Sequence, residues 1–146
     1  MATTISNATL TVQRIETVTL NGNTYGNTNT STFANINEVD QRIMTIPTSE
    51  INVVEFGSSA GSGTFVRANL KYFRIVNKDD TNFISIKLTD GSGDHAWLKI
   101  PAGGAFELDA AVIESASSFS AFADITIISA ISDTAAVDIE YFIALT

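Results

Sequence analysis

Alternation of apolar and polar side chains between residues 64 and 109 constrains the fold of this 146-residue chain more than any other feature. The stretch contains three alternating runs, and short polar turns at 77–82 and 90–94 connect them. A period of two places successive side chains on opposite faces of a strand, so each run presents one apolar face and one polar face. The stretch is therefore predicted to be a β-meander.

The same period extends over most of the chain, in runs bounded by Gly, Asn, Asp and Ser. Many short strands with such turns are typical of an all-β, antiparallel β-sandwich with Greek-key or jelly-roll connections. A chain of this length is expected to form one domain over residues 1–146. Residues 108–124 have no single period, so two short strands and a helical turn beside a strand both stay open there. About nine strands are predicted, at 8–20, 41–46, 51–56, 64–76, 83–89, 95–100, 105–109, 124–131 and 136–145.

The segment between residues 21 and 32, NGNTYGNTNTST, consists of residues that favour turns. It is predicted to be a long exposed loop after the N-terminal strand, either mobile or ordered as a contact arm against a neighbouring subunit. Tyr25 in this loop is a candidate interface residue. The glycines of residues 57–63 do not have the spacing of a phosphate-binding loop, so this connector does not predict a nucleotide site.

Composition argues against several classes of partner. Sixteen acidic and eight basic residues give a formal net charge of −8, and the basic residues are scattered singly, whereas nucleic-acid binding needs clustered Lys and Arg. No run of apolar residues reaches the roughly 18 of a membrane span, and the N-terminus does not resemble a signal peptide. With no cysteine, the chain has no disulfide and no thiolate metal site. We therefore expect neither a nucleic-acid nor a membrane partner.

Side-chain parity identifies candidate interface positions. In residues 64–76 the even positions are predicted to face the core, and both faces become apolar from Phe73 and Ile75 onward. A strand that is apolar on both faces is either central in its sheet or covered by another subunit. Phe73 and Ile75 are therefore candidate interface residues. Phe142 is a third candidate, because it lies on the same face of the last strand as the polar residues Asp138 and Glu140.

Trp97, the sole tryptophan, is predicted to lie on a polar face. The predicted hairpin sets it opposite Lys87 and on the same face as His95. On that face the indole ring can pack under a loop, anchor an intersubunit contact or stack on a sugar. A register shifted by one residue would instead bury Trp97 beside Ile86.

No arrangement of residues points to catalysis, so we expect a protein without enzymatic activity or cofactor. His95 has no accompanying Gly-x-Ser-x-Gly nucleophile elbow. The turn from Asp90 to Asp94 places oxygen atoms at alternate positions, as a calcium loop does, but the twelfth position is Pro101 instead of the bidentate Glu. The segment is therefore predicted to be an ordinary hairpin turn, and the alternative is a weak calcium site that Asp90 and Asp94 share with Asp79 or Asp80.

Two segments resemble small β-sandwich virion proteins of tailed phages, including those that infect cyanobacteria. They are KYFRIVNKDDTNFISIKL at Lys71–Leu88 and LKIPAGGAFEL at Leu98–Leu108. The shared pattern is a strand that ends in an Ile-x-Asn turn, a short polar hairpin, and an Ile-Pro-x-Gly bend into a strand of the Phe-x-Leu type. The resemblance covers residues 40–146, and the N-terminal strand and the Thr-rich loop have no counterpart in it. The pattern is carried by Ile75, Asn77, Ile100, Pro101, Gly103, Phe106 and Leu108.

The resemblance implies a virion structural protein that is made in the host cytoplasm, namely a capsid decoration or cement protein. Such a subunit is expected to be a homo-oligomer, in particular a homotrimer, in contact with the major capsid protein or other virion proteins. A tail or neck component is an alternative. A different class of function, suggested by the residues themselves, is a carbohydrate-binding or receptor-binding module that uses Trp97 with Tyr25 or Phe83 as stacking platforms.

Overall fold

The computed structural model describes residues 4–61, 63–112 and 122–146. Their regular structure is β throughout, apart from one 3-10 turn at Arg67–Asn69. Most of the segment 108–124, for which the sequence left two structures open, lies outside the described residues. The strands are β1 (Ala8–Ile15), β2 (Val18–Leu20), β3 (Asn23–Tyr25), β4 (Thr28–Ile36), β5 (Glu38–Ile46), β6 (Ile51–Gly57), β7 (Thr64–Val66), β8 (Leu70–Asn77), β9 (Ile84–Asp90), β10 (His95–Ile100), β11 (Ala105–Leu108), β12 (Ile125–Ser132) and β13 (Val137–Leu145).

The chain divides into two compact units, Met1–Asn37 and Glu38–Thr146. The first unit holds β1–β4 and the second holds β5–β13. The sequence predicted one sandwich domain over residues 1–146, and the structure differs because the sandwich begins only at β5. Within its described residues the second unit has nine strands, whereas eight of the predicted strands lie in this part of the chain, because the predicted strand 64–76 forms two strands.

The second unit is a β-sandwich of two sheets with jelly-roll topology. One sheet has the strand order β10-β9-β12-β6-β7 and the other has the order β11-β8-β13-β5. Leaving β7 aside, the strands form nested antiparallel pairs, β5 with β13, β6 with β12, β8 with β11 and β9 with β10, and successive pairs alternate between the sheets. This nesting defines a jelly roll, so the predicted fold class is confirmed. Only β7 departs from it, because it pairs in parallel with β6.

The central stretch crosses between the sheets and is not a continuous meander. The strands β9 and β10 form a hairpin in the five-stranded sheet, whereas β8 and β11 pair in the four-stranded sheet. The 3-10 turn at Arg67–Asn69 also divides the predicted strand 64–76 into β7 and β8, which belong to different sheets. Period-two patterning alone does not show where a chain changes sheets.

A bulge in β8 reverses the side-chain parity that the sequence predicted. Leu70 pairs with Leu145 and Tyr72 with Ala144, so β8 has one more residue than β13 at this point. Such an extra residue moves the following side chains to the opposite face. Phe73 and Ile75 therefore point into the core, and both are completely buried, with 0% exposure. Their assignment as interface residues was wrong.

The core lies between the two sheets and consists mainly of isoleucine. Full burial of such a side chain stabilises the fold by about 1.5–3 kcal/mol. The strand β13 contributes every second residue, as its alternation predicted, while Ala144 on its other face is also buried. The largest fully buried apolar side chains are Ile46, Phe73, Ile75, Ile84, Ile86, Ile125, Ile128, Val137, Ile139, Ile143 and Leu145.

The first unit is a two-stranded antiparallel ribbon, in which β1 pairs with β4 and β2 pairs with β3. Asn21 and Gly22 connect β2 to β3 with φ angles of 50° and 80°. Positive φ at both central residues is the geometry of a type I′ turn, for which Asn-Gly is the preferred sequence. The predicted loop over residues 21–32 is therefore wrong, since most of it forms β3 and the first half of β4. Each leg, from β1 through β2, is about 43 Å long at about 3.3 Å per residue.

Burial of Phe73 gives a direct test of the corrected parity. We expect Phe73→Ala to lower the free energy of unfolding of the isolated chain by about 3–5 kcal/mol, because it leaves a cavity between the sheets. Tyr25→Ala removes another aromatic ring that the sequence assigned to an interface, and its exposed position should limit the change to about 0.5 kcal/mol. Urea unfolding followed by tryptophan fluorescence measures both. An equally small effect of the two substitutions would contradict the placement of Phe73 in the core.

Candidate functional site

Trp97 lies on the outer face of the five-stranded sheet, as the predicted register required. The hairpin pairs Trp97 with Lys87 and Ala96 with Leu88, so the alternative register that buries the indole is wrong. The side chain is 49% exposed, which also rules out packing under a loop. The interface and sugar-stacking hypotheses both need an exposed ring, and both stay predictions.

Cations and a second aromatic ring surround Trp97. The Lys87 Nζ lies 5.2 Å from the indole centroid, and the His95 ring meets the indole edge-on at 6.1 Å. Beside them the Lys99 Nζ lies 4.1 Å from the centroid of the Phe83 ring. We call Phe83, His95, Trp97 and Lys99 the Trp97 patch. Cation–π contacts of this kind stabilise exposed sites by about 0.5–1 kcal/mol and hold the rings in place.

A partly exposed hydrogen-bond network holds Lys87 beside the Trp97 patch. The Lys87 Nζ forms an ion pair with the Glu50 carboxylate at 2.5 Å, and the Ser129 hydroxyl donates a hydrogen bond of 2.6 Å to the same oxygen atom. These two hydrogen bonds, led by that from Lys87, lower the pKa of Glu50 below its ordinary value. The ion pair engages Lys87, so the ammonium group that remains to serve an anionic partner in this patch is that of Lys99.

Phe142 lies on the outer face of the four-stranded sheet, so it does not share a surface with Trp97. Its ring packs against that of Tyr72, with 6.1 Å between the centroids, and is only partly exposed. On the same face Arg74 forms an ion pair with Glu140, and the Tyr72 hydroxyl donates to Glu107. At the edge of this face, two β5 side chains that the sequence analysis did not single out are far more exposed, Val39 at 55% and Ile43 at 66%.

Tyr25 belongs to an apolar face at the end of the ribbon. It pairs directly with Val18, and Leu20 lies two residues further along the same face of β2. Their exposed fractions are 55% for Tyr25, 56% for Val18 and 60% for Leu20. We call these three residues the tip face. The sequence analysis missed Val18 and Leu20, because it placed them in the strand that precedes a loop and did not pair them with Tyr25.

The carboxylate of Asp90, a candidate cation ligand, instead accepts backbone hydrogen bonds that stabilise the turn after β9. One of its carboxylate oxygens accepts the backbone N–H groups of Ser92 and Asp94, at 2.8 and 2.9 Å, and the other accepts that of Ala123 at 2.9 Å. Gly93 has a φ of 94°, as expected for a hairpin turn of this kind. Asp94 is exposed. Over residues 4–61, 63–112 and 122–146, no three His, Cys, Asp or Glu side chains cluster so that they could hold a metal ion.

His95, the one imidazole in the sequence, also has structural partners. Its Nδ1 lies 3.4 Å from the Gly93 carbonyl oxygen, and its ring contacts Trp97. The acidic side chains of β13 are likewise engaged, Glu140 with Arg74 and Asp138 with the Thr45 hydroxyl. The exposed features of the described residues include the Trp97 patch, the tip face and the outer edge of β5, all of which suit contact with another molecule.

Comparison of the chain with protein-family models and with curated proteins gives no match to either. Across the described residues, no helix has the length and apolar character needed to cross a lipid bilayer.

The Asp90 hydrogen bonds predict how pH and substitution affect stability. The amide of Ala123, followed by those of the turn, lowers the pKa of Asp90 below its ordinary 3.8. A lowered pKa in the folded state stabilises the fold above pH 3.8, and this contribution is lost as the pH falls through the folded-state pKa. We expect Asp90→Asn to lower the melting temperature by several degrees at pH 7, and by less below pH 3.8.

Asp94→Asn is the matched control, and differential scanning calorimetry with calcium and with a chelator completes the experiment. We expect this substitution to leave the melting temperature unchanged, because the exposed Asp94 carboxylate does not build the turn. Calcium should not stabilise the wild type. A calcium-dependent rise in melting temperature that either substitution removes would show that this turn binds calcium and would contradict its interpretation as an ordinary hairpin turn.

Proposed function

We propose that this chain is a structural protein of a tailed-phage virion, namely a decoration or cement protein that stabilises the capsid by binding across neighbouring shell subunits. The observation that carries the proposal is the ribbon of the first unit with its apolar tip face. The resemblance of residues 40–146 to virion proteins supports the proposed class of particle, and the ribbon supports the proposed means of attachment.

The ribbon has the properties of a segment that is completed by a partner. Within residues 4–37, Ile36 is the one buried residue, so the two strands have almost no core of their own. A two-stranded sheet is at best marginally stable in water without further packing. The tip face adds three large apolar side chains, each more than half exposed, on one face of the turn. Burial of these side chains against another protein would stabilise both the ribbon and the contact.

The dimensions and charge of the chain agree with this role. A ribbon leg of about 43 Å is long enough to reach from one protein domain onto the next, since a 100-residue domain has a radius of gyration of about 13 Å. The net charge of −8 favours contact with a basic shell surface. The sandwich itself is a jelly roll, which occurs in viral capsid proteins but also in lectins and other classes, so the fold alone does not assign the function.

The other predicted properties stay predictions. They are the homotrimer, the tail or neck location, and the carbohydrate-binding alternative. The exposed Trp97 is compatible with a bound sugar, and Phe83, one of its two suggested partners, lies in the same patch. The tip face is the surface that we propose for attachment to the capsid.

Capsid binding by tip-face variants tests the proposal. Purified chain is mixed with capsids of the phage that encodes it, stripped of the chain, and the bound fraction is measured by sedimentation. We expect binding at a fixed ratio to the shell subunits. The double variant Leu20→Asp, Tyr25→Asp should bind at least tenfold more weakly, because it places charges in an apolar contact.

Thr19→Asp, Thr24→Asp is the matched control, since these residues form the neighbouring pair on the opposite face of the same two strands. It adds the same charge at the same distance from the turn and should bind like the wild type. Failure of the wild-type chain to bind capsids would overturn the proposed function. Binding that both double variants lose equally would overturn the assignment of the tip face.

A further inference from the structure

The outer edge of β5 is an open sheet edge. The strand ends the four-stranded sheet and pairs with β13 on one side, and no strand among the residues described pairs with its other side. All nine residues of β5 pair with β13 in one regular register without a bulge. Every second residue of such a strand directs its N–H and C=O groups away from the sheet, where another strand can accept them.

The edge lacks several of the features that usually prevent pairing with another chain, and its inner-face charges, Asp40 and Arg42, are opposite in sign. Natural edge strands are commonly protected by charged side chains, above all lysine, by proline, by a bulge or by a very short length. The sequence of β5, EVDQRIMTI, contains no lysine and no proline, and the strand is long for an edge. Its outer face instead presents the exposed apolar side chains of Val39 and Ile43. The features are those of an edge that is paired in the assembled protein.

We propose that a second copy of this chain binds at this edge, with the two β5 strands antiparallel about a two-fold axis at Gln41. In this register Val39 lies opposite the partner's Ile43, and Ile43 lies opposite the partner's Val39. On the other face of the same strands, Asp40 lies opposite the partner's Arg42 and Arg42 lies opposite the partner's Asp40. Each exposed apolar side chain thus meets an apolar one, and each charge meets its opposite.

A two-fold axis at another β5 residue would also keep both sandwiches on the same side of the joined sheet. These other registers pair the charged and apolar side chains less well. An axis at Asp40 or at Arg42 sets that residue against its own copy, so like charges meet. An axis at Val39 sets Glu38 against the partner's Asp40, again with like charges. An axis at Ile43 leaves Val39 opposite a residue beyond the end of the partner's strand. Charge and apolar pairing together therefore select Gln41.

The position of Asp40 is fixed before association. Its carboxylate accepts a hydrogen bond of 2.6 Å from the Tyr141 hydroxyl on the neighbouring strand β13. Arg42 pairs with Tyr141 across the ladder, so Asp40 and Arg42 lie on the same face of β5. Side chains ordered in this way lose less conformational entropy when the interface forms.

The resulting dimer has one continuous sheet of eight strands, four from each copy. Its contact is isologous and closes after two subunits, so this edge builds a two-fold dimer and not the homotrimer that the sequence analysis expected. The inference goes beyond the proposed function and does not depend on it. A dimer can form in a protein that binds no capsid, and a capsid-binding chain can be monomeric.

Charge exchange at the edge tests both the dimer and its register. We expect sedimentation equilibrium of the wild type to give twice the chain mass of 15.6 kDa. Asp40→Arg alone, or Arg42→Asp alone, sets like charges opposite one another twice per dimer and should raise the dissociation constant at least tenfold. An equimolar mixture of the two variants should form a heterodimer, because every charge again faces its opposite. Recovery on mixing also shows that both variants are folded.

Cross-linking locates the axis independently. The chain has no cysteine, so Gln41→Cys introduces a single thiol that faces its own copy across the two-fold axis. We expect it to form a disulfide-linked dimer under mild oxidation. Thr45→Cys lies on the same face of the same strand, but its two copies would be about 26 Å apart, so it should stay monomeric on a non-reducing gel.

A wild-type chain that is monomeric or trimeric at micromolar concentration would overturn the proposal. So would a dimer that neither single charge variant weakens, or cross-linking of Thr45→Cys as efficient as that of Gln41→Cys. A wild-type chain that binds capsids but does not dimerise would refute this inference alone, and a dimeric wild-type chain that binds no capsids would refute the proposed function alone.

Discussion

Packing of β13 against the facing sheet is the interaction on which the rest of the structure depends. This strand pairs with β8 on one side and with β5 on the other, so it holds three of the four strands of its sheet together. Its alternate residues from Val137 to Leu145 enter the core between the sheets and are buried. Because β13 is distant in sequence from both β5 and β8, the nested strand pairs of the jelly roll are complete only when it has paired with both. The described strands of the second unit therefore enclose an apolar core without a contribution from another chain.

The chain leaves two kinds of β-structure that its own core does not complete. The ribbon contributes two strands with a single buried residue, and β5 has one edge without a partner strand in the described part of the chain. Both carry large apolar side chains that are more than half exposed. Contact with another polypeptide can both hydrogen-bond the unpaired backbone groups and bury the exposed apolar side chains. A capsid at the tip face and a second copy at β5 are the partners that we propose for them.

Much of the sandwich could be predicted from the sequence, because its signals are local. The alternation in β9, β10 and β13 gave the correct faces, and the register of Trp97 with Lys87 followed from the length of one turn. The features that could not be predicted have other causes. The bulge in β8 depends on its pairing with β13, which is distant in sequence, and it moved Phe73 and Ile75 from the expected interface into the core. In the ribbon, threonine replaces the apolar residues of an alternating pattern, so β4 resembled a loop despite the Asn21-Gly22 turn signal.

The central claim is that the sandwich is complete in one chain whereas the ribbon needs a partner. Amide hydrogen exchange of the full chain, first alone and then bound to capsids, tests this claim most directly. In the free chain we expect the β13 amides to exchange only through global unfolding, and the ribbon amides to exchange at least about 100-fold faster. On the capsid the ribbon amides should become protected while those of β13 stay unchanged. Ribbon amides in the free chain that exchange as slowly as those of β13 would contradict the account.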